Sequence, residues 1–393
     1  MRILFSLKHR LIWSHAAAAL LAAACAPANT AQPSTAGSAP AASVQVASAT
    51  PPASAAAGWD SLVSAAQKEG KLALIGPPGD VYREIFNAFQ QKFGIPIELR
   101  VGNGPPDLYP LVTTERQAGQ YLWDVATHNP GNIWLGFKPL GAVDPLRPAL
   151  ILPEVVDDSK WQGGFAAGWA DKDKTLDYFF VSYQEASVYV NRALIPESQL
   201  SQLDQLWDPK WKGKIAMQDP RFPGGGSVSV ATWLAVKGDD KLRSFFRDQQ
   251  PVLTQERRQL FEWSLRGQYP ISVGLSGDVF KDFVDQGVDV SQVKPLMSDD
   301  PAAFRLSHAS GAVGLFNRAP HPSAANLFVN WLLSQEGQAI YSQKTGYNSR
   351  RMDVPVANQE QAVDPKRRYI DLATEEGYPV QGQAVAIAKE ILK

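Results

Sequence analysis

The chain has a single cysteine, Cys25, in 393 residues. With no second thiol it forms no intrachain disulfide and offers no thiolate cluster to a metal. Histidine is scarce as well: beyond residue 15 only His128, His308 and His321 remain, far apart and at no metal-ligand spacing. There is no G-x-S-x-G elbow and no Gly-Lys-Ser/Thr phosphate loop, which removes the common signatures of serine hydrolases and P-loop enzymes. No stretch is long and apolar enough to cross a bilayer. The longest, LIWSHAAAALLAAA (11–24), is broken by Ser14 and His15 and falls short of the roughly 20 apolar residues a spanning helix needs. An excess of basic charge is missing too: 38 Lys and Arg face 39 Asp and Glu, a formal charge of −1, so nothing favours a nucleic-acid partner.

Residues 1–10 carry Arg2, Lys8 and Arg10 and no acid, and the apolar run that follows ends in small side chains at Ala23-Ala24-Cys25. Basic, apolar, then small is the order of an export signal. With Leu21 upstream, the segment resembles a bacterial lipoprotein signal, although Ala22 stands where the bulky residue three before the cysteine is usual. The resemblance implies that Cys25 becomes a lipidated N-terminus; the plain alternative is an ordinary cleaved signal with an incidental cysteine. Residues 26–57 hold no charge and no large apolar side chain, so they are expected to be a disordered tether. The expected location is thus outside the cytoplasmic membrane, periplasmic or extracellular, held to the membrane by lipid rather than inserted in it. Loss of residues 1–24 leaves a formal charge of about −4.

The body, 58–393, exceeds the size at which one core keeps growing, so two lobes are expected. It reads as strand, loop and helix repeated. KLALIG (71–76) is a short buried strand. VYREIFNAFQQKFG (81–94) is an amphipathic helix with Ile85, Phe86 and Phe89 inward. IPIELRVG (95–102) alternates as a strand, and LYPLVTTERQAG leads as a helix to the strand YLWDVATHN (121–129). The grammar returns in KIAMQD, in VSVATWLAVKG and in QYPISVGLSGD followed by a helix from Val279. It predicts an α/β protein with mostly parallel sheets flanked by helices. YFFVSYQEASVYVN (178–191) and HASGAVGLFN (308–317) are long extended runs. HPSAANLFVNWLLSQEGQAIYSQKTG is a helical region that Gly337 is expected to break.

Three turns share one design, a strand end followed by glycine or serine and a helix: Gly76-Pro77-Pro78-Gly79-Asp80, Gly224-Gly225-Gly226-Ser227 and Ser276-Gly277-Asp278. A helix N-terminus presents unpaired N–H groups that suit oxyanions, and glycine lets a ligand approach the backbone. Each turn is equally readable as punctuation between elements.

LDQLWDPKWKGKIAMQDP (203–220), APHPSAANLFVNWLLSQEGQAIYSQKTGYNSRRMDV (319–354) and WDSLVSAAQKEGKLALIGP (59–77) resemble the second-lobe entry, the return helix and the first element of type II periplasmic solute-binding proteins. The resemblance is to the ferric-ion-type family that serves ABC importers. It covers nearly all of 58–393. It implies two α/β lobes, 58–185 with 310–393 and 186–309, joined by the two extended runs as crossover strands. A small solute or ion complex would be held between them by hinge closure and passed to a membrane permease. A monomer is expected, with no cofactor. Iron-binding members carry adjacent tyrosines after the strand that QYPISVGL resembles; here Ser276-Gly277-Asp278-Val279-Phe280 stand there, and bare ferric iron loses its phenolate ligands.

The candidate contacts are polar residues at strand ends and on the first crossover. They are Gly76, Asp80 and Tyr82 in the first turn, Asn103 after the second strand, and His128 and Asn129 after the third. Tyr183 and Gln184 lie on the crossover, Arg221, Gly225, Gly226 and Ser227 at the glycine triplet, Arg258 in TQERRQ, and Ser276, Gly277 and Asp278 in the last turn. Each has a plainer role: Asp80 and Asp278 as helix caps, His128 as a satisfied loop histidine, Tyr183 as hinge packing, Arg257 and Arg258 as a solvated helix face. An arginine fork would suit a carboxylate, phosphate or phosphonate, which points to an anionic organic solute or an iron–anion complex. Two rival functions share this fold. An enzyme of this fold with a cysteine nucleophile is excluded from the body, which has none. A sensor that signals to a membrane receptor would use the same clamp.

Overall fold

The computed structural model describes residues 53–392, apart from Asn103 and Pro105; Cys25 and the expected tether up to residue 52 lie outside them. The first helix, α1, spans Ala53–Glu69. It starts six residues before Trp59, inside the segment expected to be a tether, because the alanines at 53 and 55–57 favour helix once one apolar face is anchored.

The first half then follows the sequence reading closely. Strand β1 (Leu72–Gly76) leads to α2 (Asp80–Phe93), β2 (Ile97–Val101), α3 (Leu108–Gln117) and β3 (Val125–His128). In α2 the buried Ile85, Phe86, Phe89 and Phe93 fall at helical spacing, and Gly94 ends the helix with φ 70°. A π-helical turn, Asn132–Phe137, follows β3, then β4 (Val143–Asp144) and β5 (Tyr178–Phe179). β1 pairs in parallel with β2 and β3. The return strand β13 (Ala312–Phe316) inserts antiparallel between β3 and β4 and also pairs with β5.

The extended run 178–191 is three strands in succession: β5, β6 (Tyr183–Ala186) and β7 (Val188–Asn191). β7 belongs to a second sheet with β8 (Ile215–Gln218), β9 (Val252–Thr254), β10 (Ile271–Val273) and β11 (Val293–Pro295), in the order β11-β7-β10-β8-β9. Helices α4 (Gly225–Lys237), α5 (Asp239–Gln249), α6 (Arg257–Leu265) and α7 (Gly277–Asp285) connect them. β8 runs parallel to β9 and β10, whereas β7 is antiparallel to both its neighbours. Each sheet is therefore mixed rather than mostly parallel, for one reason: the β-α-β units are parallel, and the strand arriving from the other sheet enters against them. β12 (Phe304–Ser307) pairs antiparallel with β6, and this two-stranded ribbon lies between the sheets in the chain path, with β7 leaving one strand of it and β13 the other.

The chain closes with α8 (Pro322–Leu333), α9 (Gln335–Thr345) and α10 (Pro379–Ile391). The break between α8 and α9 falls at Ser334, not Gly337: the Ser334 hydroxyl accepts the Gly337 N–H at 3.2 Å and caps α9. Gly337 is needed for another reason, since a Cβ there would lie 2.0 Å from the Trp331 carbonyl oxygen. Glu69 reaches the other end of α8 and accepts the Ser323 and Ala324 N–H groups at 3.0 and 2.8 Å, a carboxylate on a helix N-terminus.

Apolar cores fill both sheets' surroundings. Phe89, Phe328 and Trp331 pack with α1 and the first sheet, while Trp233, Phe245 and Phe261 pack with the second. Sequence position misleads at the C-terminus. α10 lies against α4 and α5, and Leu372 and Ala384 join the second sheet's core, although residues 310–393 were all expected with the first lobe. Its small Ala384 and Ala388 are fully buried, which suits close helix packing.

Candidate functional site

The carboxyl ends of the parallel strands place the expected turns where an open α/β sheet binds ligands, but the three turns are built differently. At α2 the cap is Gly79, with φ 123° and no side-chain cap, and Asp80 is an exposed first-turn residue rather than the cap. Gly76 is buried in β1, and a Cβ there would press on Leu74, Leu99 and Phe86 at 3.1–3.2 Å, so it serves packing. Tyr82, half-buried, contacts Ser310 and Tyr341, and burial raises its phenol above the usual range.

At α4 the glycines bring backbone to backbone. A Cβ on Gly226 would stand 1.8 Å from the Gln218 carbonyl oxygen, and one on Gly225 2.2 Å from that of Gly274. The close approach expected for a ligand is taken up by strands β8 and β10. The Gly226 N–H donates to Gln218 Oε1 at 3.2 Å, and the buried Ser227 hydroxyl donates to the Gly224 carbonyl at 2.9 Å. Arg221 is also spent: its guanidinium grips Asp219 through Nε (3.0 Å) and Nη2 (2.7 Å), and Nη1 donates to the Leu392 carbonyl at 2.7 Å. Burial works to raise the Asp219 carboxyl, but these bonds outweigh it and hold the group below the usual carboxylate range.

At α7, Ser276 is the cap and Gly277 opens the helix; the Asp278 side chain lies outside the described features. Gln361 sits over this turn, 3.0 Å from where a Gly277 Cβ would be. A cavity of about 280 Å³ adjoins it, lined among others by Gln184, Tyr189, Phe280, Phe304 and Gln361. Arg258 points elsewhere: it is exposed, bonds Glu262 and Gln286, and lies 4.4 Å over the Phe283 ring. It lies on the exposed face of α6.

His128 ends β3 with both nitrogens occupied. Nδ1 accepts the Asn129 N–H at 2.8 Å, so Nε2 carries the proton and donates to the Gly102 carbonyl at 3.0 Å. Burial lowers its pKa, against the opposing pull of the Gly102 bond. It orders the loop and has no nitrogen left for a solute. Asn129 is exposed, and its Oδ1 accepts the Gly131 N–H at 3.0 Å. Asn103 is outside the described residues.

The ribbon holds the residues that sequence reasoning found only in part. Tyr183 is buried and stacks on Tyr347 at 5.2 Å with planes 5° apart; burial raises its phenol strongly. Gln184 is clasped by the C-terminal segment, donating to the Glu360 carbonyl and accepting from the Tyr369 hydroxyl. Next to them in register lies a pair the sequence reading missed, Glu185 and Arg305, joined at 2.7 Å with side chains 10% and 7% exposed. The only signal was one charge inside the extended run 178–191 and another just before the run 308–317; their partnership across 120 residues was not legible. Among the described residues, no three His, Cys, Asp or Glu side chains gather to hold a metal ion.

Comparison with known proteins agrees with this architecture. The family model of the bacterial extracellular solute-binding protein matches residues 84–366. An uncharacterized protein of Haemophilus influenzae is 23% identical over 263 residues, spanning 64% of this chain and 69% of that one. Iron-bound HitA of Pseudomonas aeruginosa shares the fold at 18% identity, over 82% of this chain and 99% of that one, with TM-score 0.56. The Trichodesmium protein IdiA (FutA), solved with iron and citrate, does so at 17% identity, over 82% and 99%, with TM-score 0.61. An ABC transporter protein from Clostridium perfringens does so at 16%, over 82% and 100%, with TM-score 0.64. With a match over most of its length and two mixed sheets joined by crossing strands, this chain belongs to the bacterial extracellular solute-binding proteins, a family of binding proteins rather than enzymes with the two-lobed type II periplasmic fold.

Proposed function

We propose that this protein captures a small solute between two lobes and delivers it to an ABC import permease, tethered to the membrane through lipidated Cys25. The lobes are taken as 58–185 with 310 to about 360, and 186–309 with the C-terminal helix. The observation that carries this reading is the β6–β12 ribbon: the chain passes from one sheet to the other through two paired extended strands. Such strands absorb a hinge rotation while both cores stay packed.

The solute is read as an anionic organic compound or an iron–anion complex. The structural relatives include proteins solved with iron, one of them with citrate. In this chain Val279 and Phe280 follow Gly277, where phenolate ligands would be wanted, so iron would have to arrive already coordinated by its anion.

Deleting the gene and measuring uptake tests transport. Loss of accumulation of one solute class, restored by the wild-type gene, supports it. Undiminished uptake of ferric citrate, citrate, phosphate, phosphonates, polyamines and thiamine, with a lost transcriptional response to any of them, would favour a sensor. Cys25→Ser should move the protein from the membrane fraction to the soluble one; unchanged fractionation sinks the lipid anchor.

A further inference from the structure

Register divides the ribbon's side chains between two faces. β12 pairs Phe304 with Ala186, Arg305 with Glu185, Leu306 with Gln184 and Ser307 with Tyr183. Since side chains alternate along a strand, Gln184, Ala186, Phe304 and Leu306 share one face. That face is covered: Phe304 belongs to the second core, the Arg367 guanidinium lies 4.4 Å over its ring, and Tyr369 and Glu360 hold Gln184. The opposite face carries Tyr183, Glu185, Arg305 and Ser307.

On this second face the Arg305 side chain is 93% buried, and only its Nη2 is used, on Glu185 Oε2. Its Nη1 is buried with no hydrogen-bond partner. A buried guanidinium N–H without an acceptor is costly, and apolar residues of similar volume would pack such a place as well as an ion pair does. Packing alone therefore gives no reason for this arrangement. The surroundings suit recognition. The Tyr183–Tyr347 stack flanks the pair on the side of the first sheet. On the other side the Ser187 carbonyl, next along the strand, receives the Ser229 hydroxyl of α4 and the Gly274 N–H that follows β10. The pair thus stands where strand-end elements of both sheets converge on the crossover.

We propose that Arg305 is the solute-recognising residue, its free Nη1 donating to a carboxylate, and that Glu185 selects a solute with a hydrogen-bond donor beside that carboxylate. The class is a small hydroxy- or amino-carboxylate with one net negative charge or none. Arg305 and Glu185 together are electroneutral, so a multiply charged anion would bring uncompensated charge into a nearly dry site. A carboxylate with an adjacent hydroxyl or ammonium meets Nη1 with one group and Glu185 with the other. This deepens the solute-binding reading above and rests on it.

The test is titration calorimetry on the full chain with glycolate, lactate, glycine and glutamate, each beside its amide, and with trisodium citrate, inorganic phosphate, putrescine and thiamine. At least one hydroxy- or amino-carboxylate should bind, and its amide should bind at least tenfold more weakly. Arg305→Gln should weaken that carboxylate at least tenfold, and Glu185→Gln should narrow its preference over acetate. The double variant Arg305→Met/Glu185→Leu leaves no orphaned charge; it should keep the wild-type melting temperature and still lose binding. Carboxylate binding within twofold of wild type in the folded double variant overturns the proposal. Binding of phosphate, putrescine, thiamine or citrate alone also overturns it, while leaving the solute-binding reading standing. Binding of no probe overturns the carboxylate class, and the uptake experiment then judges the wider reading by itself.

Discussion

The N-termini of α2 and α4 have similar sequences and different physics. Both follow a parallel strand, and both have glycine at the cap. At α2, Gly79 takes φ 123° with only side chains near where its Cβ would be, the Tyr82 ring at 3.5 Å and Val81 at 3.9 Å, and the following Asp80 is exposed. At α4 the corresponding space is filled by the backbone of β8 and the residue after β10, and Gln218 takes one of the helix amides. A glycine-rich turn therefore reports close approach without saying what approaches. In α4 it is the protein's own main chain, and in α2 the turn stays open.

Substitution at the two turns should break this comparison most sharply if it is wrong. Gly226→Ala forces a methyl against a carbonyl oxygen that only backbone movement can relieve, and about 3 kcal/mol of destabilisation is expected, the upper end for overpacking. Gly79→Ala is strained by its φ but meets no backbone, and about 1–2 kcal/mol is expected. Urea unfolding midpoints measure both, and equal costs would dissolve the distinction.

The next effect is smaller. Arg221→Ala removes the fork on Asp219 and the bond to the Leu392 carbonyl, and about 1–2 kcal/mol should be lost. Because Asp219 is held below its ordinary pKa in the folded protein, it contributes stability above the unfolded value near 3.8, lost as pH falls through the folded value. The variant should show a shallower loss of stability below pH 4 than wild type. A parallel acid profile would mean that the fork is not what holds the carboxylate.

His128 comes third. Its folded pKa lies below the ordinary 6.5, so below that pH the unfolded chain takes up a proton that the folded protein resists. Stability from this group is full above pH 6.5 and declines as pH falls. His128→Asn should flatten that segment of the stability–pH curve and cost about 1 kcal/mol at pH 8 through its lost bonds. An unchanged slope would show that His128 is not the group responsible. Smallest of all should be Asp80→Asn: as an exposed first-turn residue and not a cap, it should move the midpoint less than any of the others. A shift as large as that of Arg221→Ala would show that Asp80 has a partner in the folded protein.

Local structure was legible wherever short-range physics decides it. Ile85, Phe86 and Phe89 announced α2, the alternation of IPIELRVG announced β2, and the run 178–191 contains the crossing strand β6, whereas its partner β12 (304–307) ends just before the run 308–317, which holds β13 of the first sheet. Reading failed where the deciding contact was distant or ambiguous. Gly337 looked like a helix break, yet the break is made by the Ser334 cap three residues earlier and the glycine by a carbonyl that crowds it. Arg221 and Arg258 looked available as cations, but Asp219 and Glu262 already hold them.

The sequence by itself determined the α/β grammar, the first crossing strand, the absence of thiol chemistry in the body and the family, because periodicity, composition and motif are properties of neighbouring residues. Tertiary structure alone decided that α10 packs on α4 and α5, that the α4 glycines serve the backbone, and that Glu185 meets Arg305. Those outcomes depend on which distant segments register against one another, and a pairing across 120 residues leaves no trace in either local pattern.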